Sequence, residues 1–313
     1  MNIALDMMGG DYAPLEAVKG VILFNEQQDE SVTLTLIGDE KKLKEIIIQQ
    51  NLQAKNIHIV HAEQMIEMHE HPTKALKEKP GSSISIGFHL LASGKADAFI
   101  SAGNTGAMMV GALYSIKAIP GILRPTIGAY LPREDGTLGL MVDVGLNADC
   151  KPENLAQFAV LGSLFSKYIL NFTNPKVGLV NLGEEEGKGN ILTQATYPLL
   201  KENSQLNFVG NIEGRDLLTH KADVVVCDGF TGNVMLKFAE SIYDLVKRRD
   251  IHDEHFDRFN FEIYGGVPVL GVNKPVIIGH GISHAIAFKN MINIAFKMIK
   301  EDLTGKIRES FSV

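Results

Sequence analysis

Residues 96–107 read ADAFISAGNTGA, and residues 222–233 read ADVVVCDGFTGN. Each stretch consists of Ala-Asp, five residues and Gly-x-Thr-Gly, and the second follows the first at a constant offset of 126 positions. In both, a short apolar run leads to glycine and then to residue types that begin helices. This order is typical of a strand-to-helix turn in an α/β protein.

The same alternation extends over the chain on either side of these two turns. Predicted strands are Asn2–Asp6, Val32–Ile37, Ile57–Val60, Ala98–Ser101, Ile127–Leu131, Leu138–Val142, Lys176–Val180, Leu206–Val209 and Val224–Cys227. Predicted helices lie near 13–25, 39–50, 74–93, 105–118, 152–169, 190–203, 231–248 and 284–302. Strands joined by helical crossovers predict an α/β fold in three α/β/α layers with a mostly parallel sheet.

Two features complete this prediction of the fold. The strands at 127–131 and 138–142 are joined by the turn-rich loop Pro132–Gly136, which indicates an antiparallel hairpin. No shift in composition marks a boundary, so we predict a single domain over residues 1–313, with two lobes around a central cleft as the alternative. Ligands of such sheets bind beyond the carboxyl ends of the strands.

Composition restricts the class of protein. The chain has 313 residues, 45% of them hydrophobic, and a net charge of −7, which argues against a nucleic-acid binder with a dominant basic face. Its first residues lack the basic and apolar regions of a signal peptide, and its only cysteines, Cys150 and Cys227, are far apart in sequence. We expect a cytoplasmic protein with reduced thiols.

Glycine-rich loops follow several predicted strands, and they are the candidate ligand-binding segments. Glycines let backbone approach a ligand closely, and the amide groups at a helix start favour an anion, phosphate above all. The candidates are Gly9, Gly10 and Asp11; Gly103, Asn104, Thr105 and Gly106; Lys188, Gly189 and Asn190; and Asp228, Gly229, Thr231, Gly232 and Asn233. One such turn by itself is equally well explained as ordinary strand-to-helix punctuation.

Other chemistry has little support in the sequence. GxGxxG after the first strand, GxxxxGK[ST], GxSxG and HExxH are all absent, so we expect no nucleotide cofactor, no metal and no serine nucleophile. Lys188 is the one cation within a glycine-rich exit loop, where an ammonium can pair with an oxyanion. His280, flanked by Gly279 and Gly281, is either a site residue or a turn residue.

Taken together and in order, these loops resemble the phosphate acyltransferases of bacterial phospholipid synthesis, the PlsX family. The matching blocks run from the first strand to about residue 285: ALDMMGGDYAP, ISAGNTGA, DVGLNADCKPENL, LGEEEGKGN, GNIEGRD, DGFTGNVMLK, YGGVPVLGV and GHGIS. The resemblance implies a fold similar to phosphotransacetylases and to isocitrate and isopropylmalate dehydrogenases.

The resemblance also implies the reaction and its partners. An acyl group would pass from acyl-[acyl-carrier-protein] to inorganic phosphate, and the acyl phosphate would serve the glycerol-3-phosphate acyltransferase of the membrane. The enzyme would be a homodimer with peripheral membrane contact. Phosphate is itself the nucleophile in this reaction, which agrees with the missing Ser-His-Asp and Cys-His signatures.

The resemblance assigns the central functional roles to Lys188 and Asn233. Lys188 would meet the charge of phosphate or of the carbonyl oxyanion, and Asn233 would donate an amide hydrogen bond. The helix starts at Thr105 and Thr231 and the Asn104 amide would complete the phosphate site, which Gly9, Gly10 and Asp11 would line. His280 matches the family more loosely and remains a candidate.

The sequence does not decide where the carrier protein docks or how the enzyme contacts the membrane. Lys247, Arg248, Arg249 and Arg258 form the densest basic cluster, either to dock an acidic carrier protein or as an ordinary solvated helix end. Family members carry a longer segment between the DGFTGN helix and YGG, whereas the stretch 246–264 is short and partly acidic here. The mode of membrane contact therefore does not follow from the resemblance.

Two other functions compete with this interpretation. A phosphotransacetylase-like enzyme would use acyl-CoA as the acyl donor in place of the carrier protein. A phosphate-binding or scaffold protein would use the same anion-binding turns to bind its ligand and would catalyse no reaction.

Overall fold

The computed structural model describes residues 1–27 and 32–312, and the elements below lie within these ranges. The strands are β1 Asn2–Asp6, β2 Thr33–Gly38, β3 Ile57–His61, β4 Ala98–Ser101, β5 Thr126–Pro132, β6 Leu138–Val142, β7 Lys176–Val180, β8 Asn207–Ile212, β9 Val224–Val226, β10 Gly266–Leu270 and β11 Val276–Gly279. The α-helices are α1 Leu15–Asn25, α2 Glu40–Gln49, α3 Pro72–Glu78, α4 Ser83–Ala92, α5 Thr105–Gly111, α6 Pro152–Tyr168, α7 Ile191–Lys201, α8 Gly229–Arg248, α9 Glu254–Asp257, α10 Ala285–Lys300 and α11 Leu303–Phe311.

The chain divides into two compact units. The first unit comprises residues 1–118 and 261–304, and the second comprises residues 119–260 and 305–313. The predicted single domain over residues 1–313, with its two-lobed alternative, stays a prediction.

In the first unit the strands lie in the order β3-β2-β1-β4-β11-β10. All neighbouring pairs are parallel except β10 with β11, which is antiparallel. The central strand β1 has consecutive residues, Ile3, Ala4 and Leu5, that are all fully buried. Side chains alternate between the two faces of a strand, so helices cover both faces of this sheet.

In the second unit the order is β5-β6-β9-β7-β8. β5 and β6 pair in the antiparallel sense, which confirms the predicted hairpin, and the other pairs are parallel. Helix α6 packs on this sheet through Gly162, where an added methyl group would meet Val224 and Val142 at 2.6 and 3.1 Å. The predicted α/β fold with a mostly parallel sheet is thus confirmed.

Some predicted elements differ from those observed. The helix predicted at 74–93 is two helices, because Pro80 has no amide hydrogen to donate and disfavours helical backbone at Lys79. The helix predicted at 105–118 ends at Gly111 and continues as a π-helix over Ala112–Ile116. Strands β10 and β11 and helix α11 were not among the predicted elements.

The helix predicted at 284–302 is α10, and it is a core element of the first unit. Its residues Ala287, Phe288, Met291 and Ala295 are buried, and Phe288 faces Gly20 of α1, where an added methyl group would overlap its Cβ. Across the described ranges, no helix is both long and apolar enough to traverse a lipid bilayer.

Candidate functional site

The turn after β1 is organised by a buried carboxylate. Asp6 is 1% exposed, and its Oδ1 accepts hydrogen bonds from the amides of Met8 and Gly9 at 3.0 and 3.1 Å. Burial raises the pKa of this carboxyl above its ordinary value, although the hydrogen bonds oppose the shift. Asp6 therefore fixes the shape of the glycine turn from within the protein.

The turn after β4 is tied to the same carboxylate. The Ser101 hydroxyl donates to Asp6 Oδ2 at 2.6 Å and accepts from the Gly103 amide at 2.9 Å. An added methyl group at Gly9 would lie 2.6 Å from the Gly103 nitrogen and 2.5 Å from Asp6 Oδ2. The structure thus brings Gly9 and Gly103 together, and their amide hydrogens are already donated within the turn.

Asn104 is the N-cap of α5, as its residue type suggests. Its Oδ1 accepts from the Ala107 amide at 2.9 Å, and its Nδ2 donates to the carbonyls of Glu67, Met68 and Glu70 at 2.9, 3.2 and 3.0 Å. The Asn104 amide is therefore engaged in holding the 67–70 loop. The hydrogens of the Asn104 side-chain amide are thus donated to backbone carbonyls within the protein.

The remaining candidates of the first unit surround these two turns. Gly10 adopts a φ of +107°, and the Asp11 amide donates to the Gly281 carbonyl at 2.7 Å. Next to Gly281, His280 places its ring 4.9 Å from the Phe261 ring, and its Nδ1 accepts from the Ile282 amide at 3.4 Å. Gly10, Asp11 and His280 thus belong to adjoining loops of one unit.

Thr105 and Gly106 form the first turn of α5. Thr105 is exposed, and Gly106 lies against the ring of Pro72, which a methyl group at 106 would overlap. The start of α5 is consequently packed against the start of α3. This contact links the predicted phosphate-binding turn to the helices beside it.

The second unit contains a comparable buried carboxylate at the end of β6. Asp143 Oδ1 accepts from the amides of Gly145 and Leu146, both at 2.9 Å, and its Oδ2 accepts from the Asn147 amide and side chain at 3.0 and 2.6 Å. Burial raises the pKa of Asp143 despite these bonds. A buried aspartate thus stands at the last position of β1 and directly after β6, and each organises the following turn.

The second copy of the repeat begins its helix differently from the first. Asp228 caps α8, accepting from the Thr231 amide at 2.9 Å and from the Thr231 hydroxyl at 2.8 Å. The expectation that Thr231 starts the helix is therefore wrong, because an aspartate three residues earlier takes that role and α8 begins at Gly229. Gly229 donates its amide to the Asn147 carbonyl at 2.7 Å.

Asn233 lies on the first turns of α8, beside the turn that Asp143 organises. Its Nδ2 donates to the Val144 carbonyl at 3.2 Å and lies 3.0 Å from the position of a methyl group added at Gly145. Gly232 packs so closely that a methyl group there would overlap the Asp143 carbonyl oxygen. The exposed Asn233 side chain keeps its Oδ1 and one amide hydrogen available.

Lys188 lies in the loop between β7 and α7, and its side chain is exposed. Two acids of this loop are each paired, Glu184 with Lys221 at 2.7 Å and Glu186 with Lys201 at 2.9 Å. The Lys188 ammonium forms no ion pair with any residue of 1–27 or 32–312. It therefore remains available to an anion.

The residues around Lys188 shape the start of α7. Gly189 has a φ of +105°, and its added methyl group would overlap Thr193 and Asn181. Asn190 caps the helix, accepting from the Thr193 amide at 2.9 Å. Lys188 thus lies two residues before Asn190, the N-cap of an eleven-residue helix, whose dipole also favours negative charge. No hydrogen bond or ion pair between described residues joins this loop to Asn233.

The predicted basic cluster is smaller in the structure than in the sequence. Lys247, Arg248 and Arg249 are exposed at the end of α8. Arg258 is instead paired with Glu254 at 3.1 Å, and its guanidinium fills the space beside Gly136. The cluster that a partner could meet is therefore the three consecutive residues 247–249.

An acidic group at Glu184, Glu213 and Asp216 has carboxylate oxygens within 4.8 Å of one another. The Lys221 ammonium donates to Glu184 at 2.7 Å and to Asp216 at 2.8 Å. A lysine therefore already supplies positive charge to this group.

Three residues that hold these turns in place were not among the predicted site residues. Asp6, Ser101 and Asp143 are buried, and they accept hydrogen bonds from the amides of Gly9, Gly103 and Gly145. The available signal was an aspartate or serine at or directly after the end of a strand, followed within three residues by glycine, because these side chains commonly accept hydrogen bonds from the next amides.

The chain has relatives among known proteins. Residues 1–249 match the family model described as "Fatty acid synthesis protein". The chain is 43% identical to "Phosphate acyltransferase" of Dictyoglomus turgidum, with all of this chain and 98% of that protein covered. The chain belongs to the phosphate acyltransferase family. It is therefore an enzyme, an acyltransferase, as the resemblance implied.

Solved structures with a similar fold are more distant in sequence. "EutD phosphotransacetylase from Staphylococcus aureus" superposes with a TM-score of 0.64 at 18% identity, over 95% of this chain and 94% of that one. A putative 4-hydroxythreonine-4-phosphate dehydrogenase from Salmonella typhimurium gives a TM-score of 0.58 at 11% identity, over 95% and 99%. The fold of this acyltransferase is thus similar to that of a phosphotransacetylase and to that of the Salmonella typhimurium protein.

Proposed function

We propose that this enzyme transfers a fatty acyl group from an acyl carrier protein to inorganic phosphate, forming acyl phosphate for phospholipid (phosphatidic acid) synthesis. The observation that carries the proposal is the availability of Lys188 and Asn233. Most other polar groups of the second unit's predicted site are bonded to one another, whereas the Lys188 ammonium and part of the Asn233 amide are not.

The reaction needs little from the protein beyond placement and charge. An oxygen of HPO₄²⁻ attacks the thioester carbonyl, the carbon–sulfur bond breaks, and the proton of the phosphate passes to the departing thiolate. The products are acyl phosphate and the free thiol of the carrier. Holding the two reactants in line and stabilising the carbonyl oxyanion account for most of the catalysis.

Lys188 supplies the charge in this proposal. Its side chain is exposed, its ammonium lacks an acidic partner among the described residues, and the residue lies two positions before the N-cap of α7. A phosphate oxygen or the developing oxyanion would receive both the lysine charge and the field of the helix end.

Asn233 supplies a neutral hydrogen bond. Its Nδ2 is held by the Val144 carbonyl, and Asp143 holds the turn that contains Val144. The amide is thus pre-positioned, with one hydrogen left for a phosphate or carbonyl oxygen. A fixed donor of this kind costs little reorganisation when charge develops.

Partner contacts follow from the surface of α8. We assign the acidic carrier protein to the exposed cations Lys247, Arg248 and Arg249 at the end of this helix. Along the same helix run exposed apolar side chains at helical spacing, namely Phe230, Val234, Phe238, Ile242 and Leu245. A second copy of the chain, in a homodimer, would remove this stripe from water.

We place the enzyme in the cytoplasm, with peripheral contact at the inner face of the membrane, where its product meets the glycerol-3-phosphate acyltransferase. Light scattering of the purified protein tests the homodimer, and Phe238→Asp should return it to a monomer. Flotation with vesicles of bacterial lipid composition tests the membrane contact separately.

The decisive experiment incubates the purified enzyme with palmitoyl carrier protein and phosphate and traps acyl phosphate as its hydroxamate with hydroxylamine. We expect product only when phosphate is present. A strong preference for acetyl-CoA or palmitoyl-CoA over the carrier protein would contradict the assigned donor. Phosphate binding without product from any donor would support a non-catalytic protein instead.

A further inference from the structure

A groove of about 500 Å³ lies within the first unit, between α3, α4, α5 and the π-helix at 112–116. We infer that this groove holds the fatty acyl chain of the substrate, an inference that rests on the proposed function. Its floor and sides include Leu76, Phe88 and Val110, and its rim carries Lys77, His89 and Tyr114.

The floor of the groove is apolar because α5 has no side chain at Gly111, where the Phe88 ring of α4 packs against its backbone. A methyl group added at Gly111 of α5 would overlap the Phe88 ring of α4. Phe88 is 2% exposed and meets Phe99 of β4 edge-to-face, with ring centroids 5.1 Å apart. The bottom of the groove is therefore part of the hydrophobic core of this unit.

One wall of the groove is built from irregular helix. α5 ends at Gly111, and the wider π-helical turns over Ala112–Ile116 follow at once. They present Tyr114, which is 74% exposed, at the rim. Short π-helical segments interrupting α-helices are frequent at functional sites.

Polar groups of the groove are either bonded internally or exposed at its rim. The Ser85 hydroxyl donates to the Lys79 carbonyl at 2.9 Å and accepts from Ser82. Lys77 and His89 are exposed, so their polar ends stay in water. A peptide strand would need backbone partners here, whereas a saturated alkyl chain needs none.

The position and the size of the groove suit such a chain. Thr73 lines the groove, and the adjacent Pro72 packs on Gly106, in the turn Gly103–Gly106 that was predicted to bind phosphate. A chain whose carbonyl carbon lies at that turn could therefore run between α3 and α5. The volume of about 500 Å³ is within the roughly 300–1,000 Å³ typical of ligand pockets.

The first test compares chain lengths in acyl-phosphate formation. Val110→Phe would narrow the groove, and Leu113→Phe is the matched control, since Leu113 is on the π-helix but does not line the groove. Each methylene that is no longer buried should lower affinity about fourfold. We expect Val110→Phe to reduce kcat/KM for palmitoyl carrier protein at least ~10-fold, from the loss of roughly two buried methylenes. Octanoyl carrier protein should be affected far less.

An unchanged ratio of palmitoyl to octanoyl activity in Val110→Phe would overturn the inference, whether both rates persist or both fall together. If the wild type forms no acyl phosphate from either substrate, the proposed function fails instead. Leu113→Phe should keep the wild-type ratio.

A second measurement does not depend on turnover. The chain contains no tryptophan, so Tyr114→Trp gives a single fluorescent reporter at the rim. We expect 9,10-dibromostearic acid to quench this tryptophan saturably, and Val110→Phe in the same background to weaken the quenching. Ile48→Trp, exposed on α2 and outside the groove, is the control. Equal quenching of the two reporters, or no quenching of the one at the rim, would overturn the inference.

Discussion

Asp97 and Asn2 exchange two hydrogen bonds where β4 and β1 begin. The Asp97 amide donates to the Asn2 carbonyl at 2.7 Å, and the Asn2 amide donates to the Asp97 carboxylate at 2.7 Å. In the second unit Asp223 does the same with Lys176, again with both distances at 2.7 Å. The aspartate shared by the two repeated sequences therefore joins the start of its strand to the start of a neighbouring parallel strand.

The two aspartates should contribute differently to stability. Asp97→Ala removes one hydrogen bond to a charged acceptor, which typically costs about 1.5–3 kcal/mol. Asp223 also pairs with Arg133, which is 2% exposed, at 2.7 Å, so Asp223→Ala leaves a buried cation unpaired at a cost of about 3–5 kcal/mol. Urea unfolding of both variants measures the difference. Equal losses of unfolding free energy in the two variants would contradict the argument that Asp223 neutralises the buried Arg133.

Gly232 should tolerate no side chain. A methyl group there would overlap the Asp143 carbonyl oxygen and push α8 away from the turn that positions Asn233. We expect Gly232→Ala to lose roughly 1–3 kcal/mol of unfolding free energy and most of its activity. Gly214→Ala is the control, because nothing lies within 4 Å of its added methyl group. Matching melting temperatures and rates for the two variants would refute the prediction.

Lys188 should matter for rate and little for folding. Loss of a single oxyanion donor typically costs about 10²–10³ in kcat, and we expect Lys188→Ala to fall in this range. The comparison is Lys201→Ala, which breaks an exposed ion pair with Glu186 in the same unit and should change the rate less than about twofold. The hydroxylamine assay with palmitoyl carrier protein measures both. Near-wild-type turnover in Lys188→Ala would remove this residue from the site.

The two cysteines should react slowly in the folded enzyme. Burial and the nearby Asp143 carboxylate raise the pKa of Cys150 to about 11, and Cys227 is buried with its pKa also raised. At pH 8 only about a thousandth of Cys150 is thiolate, so its reaction with a disulfide reagent should be roughly 100-fold slower than that of a free cysteine. Unfolding in guanidinium should restore ordinary rates for both. Fast labelling of the native enzyme would contradict the described burial.

Asp6 should make stability depend on pH in a particular direction. Its pKa is higher in the folded enzyme than the ordinary value of 3.8, so the folded state binds more protons above that pH. The free energy of unfolding therefore falls as pH rises from about 4 through the folded pKa. Asp6→Asn lacks this contribution. We expect the stability difference, wild type minus variant, to decrease between pH 4.5 and 7.5 in urea titrations; a constant or rising difference would disprove it.

Much of the fold could be read from local patterns. Runs such as Asn2–Asp6 and Lys176–Val180 are mostly apolar and lead directly into turn residues, and both are strands. The loop Pro132–Gly136 also predicted the β5–β6 hairpin, because turn chemistry acts over a few residues. Strand β10 was not predicted, because Pro268 within it cannot donate a hydrogen bond to the neighbouring strand. Its antiparallel partner β11 is recognised as a strand only once the two are seen to pair.

The sequence by itself determined which residues stand at the strand ends, including Lys188 and Asn233 in their glycine-rich loops. Only the tertiary structure decided which hydrogen-bond partners the residues at the strand ends have. The Asn104 amide, expected to complete the phosphate site, holds the 67–70 loop, and Asp228 caps the helix that was expected to start at Thr231. The two copies of Ala-Asp-x5-Gly-x-Thr-Gly thus agree at their aspartates and diverge at their helix starts. A residue's type fixes its bonding capacity, but its partners come from distant parts of the chain.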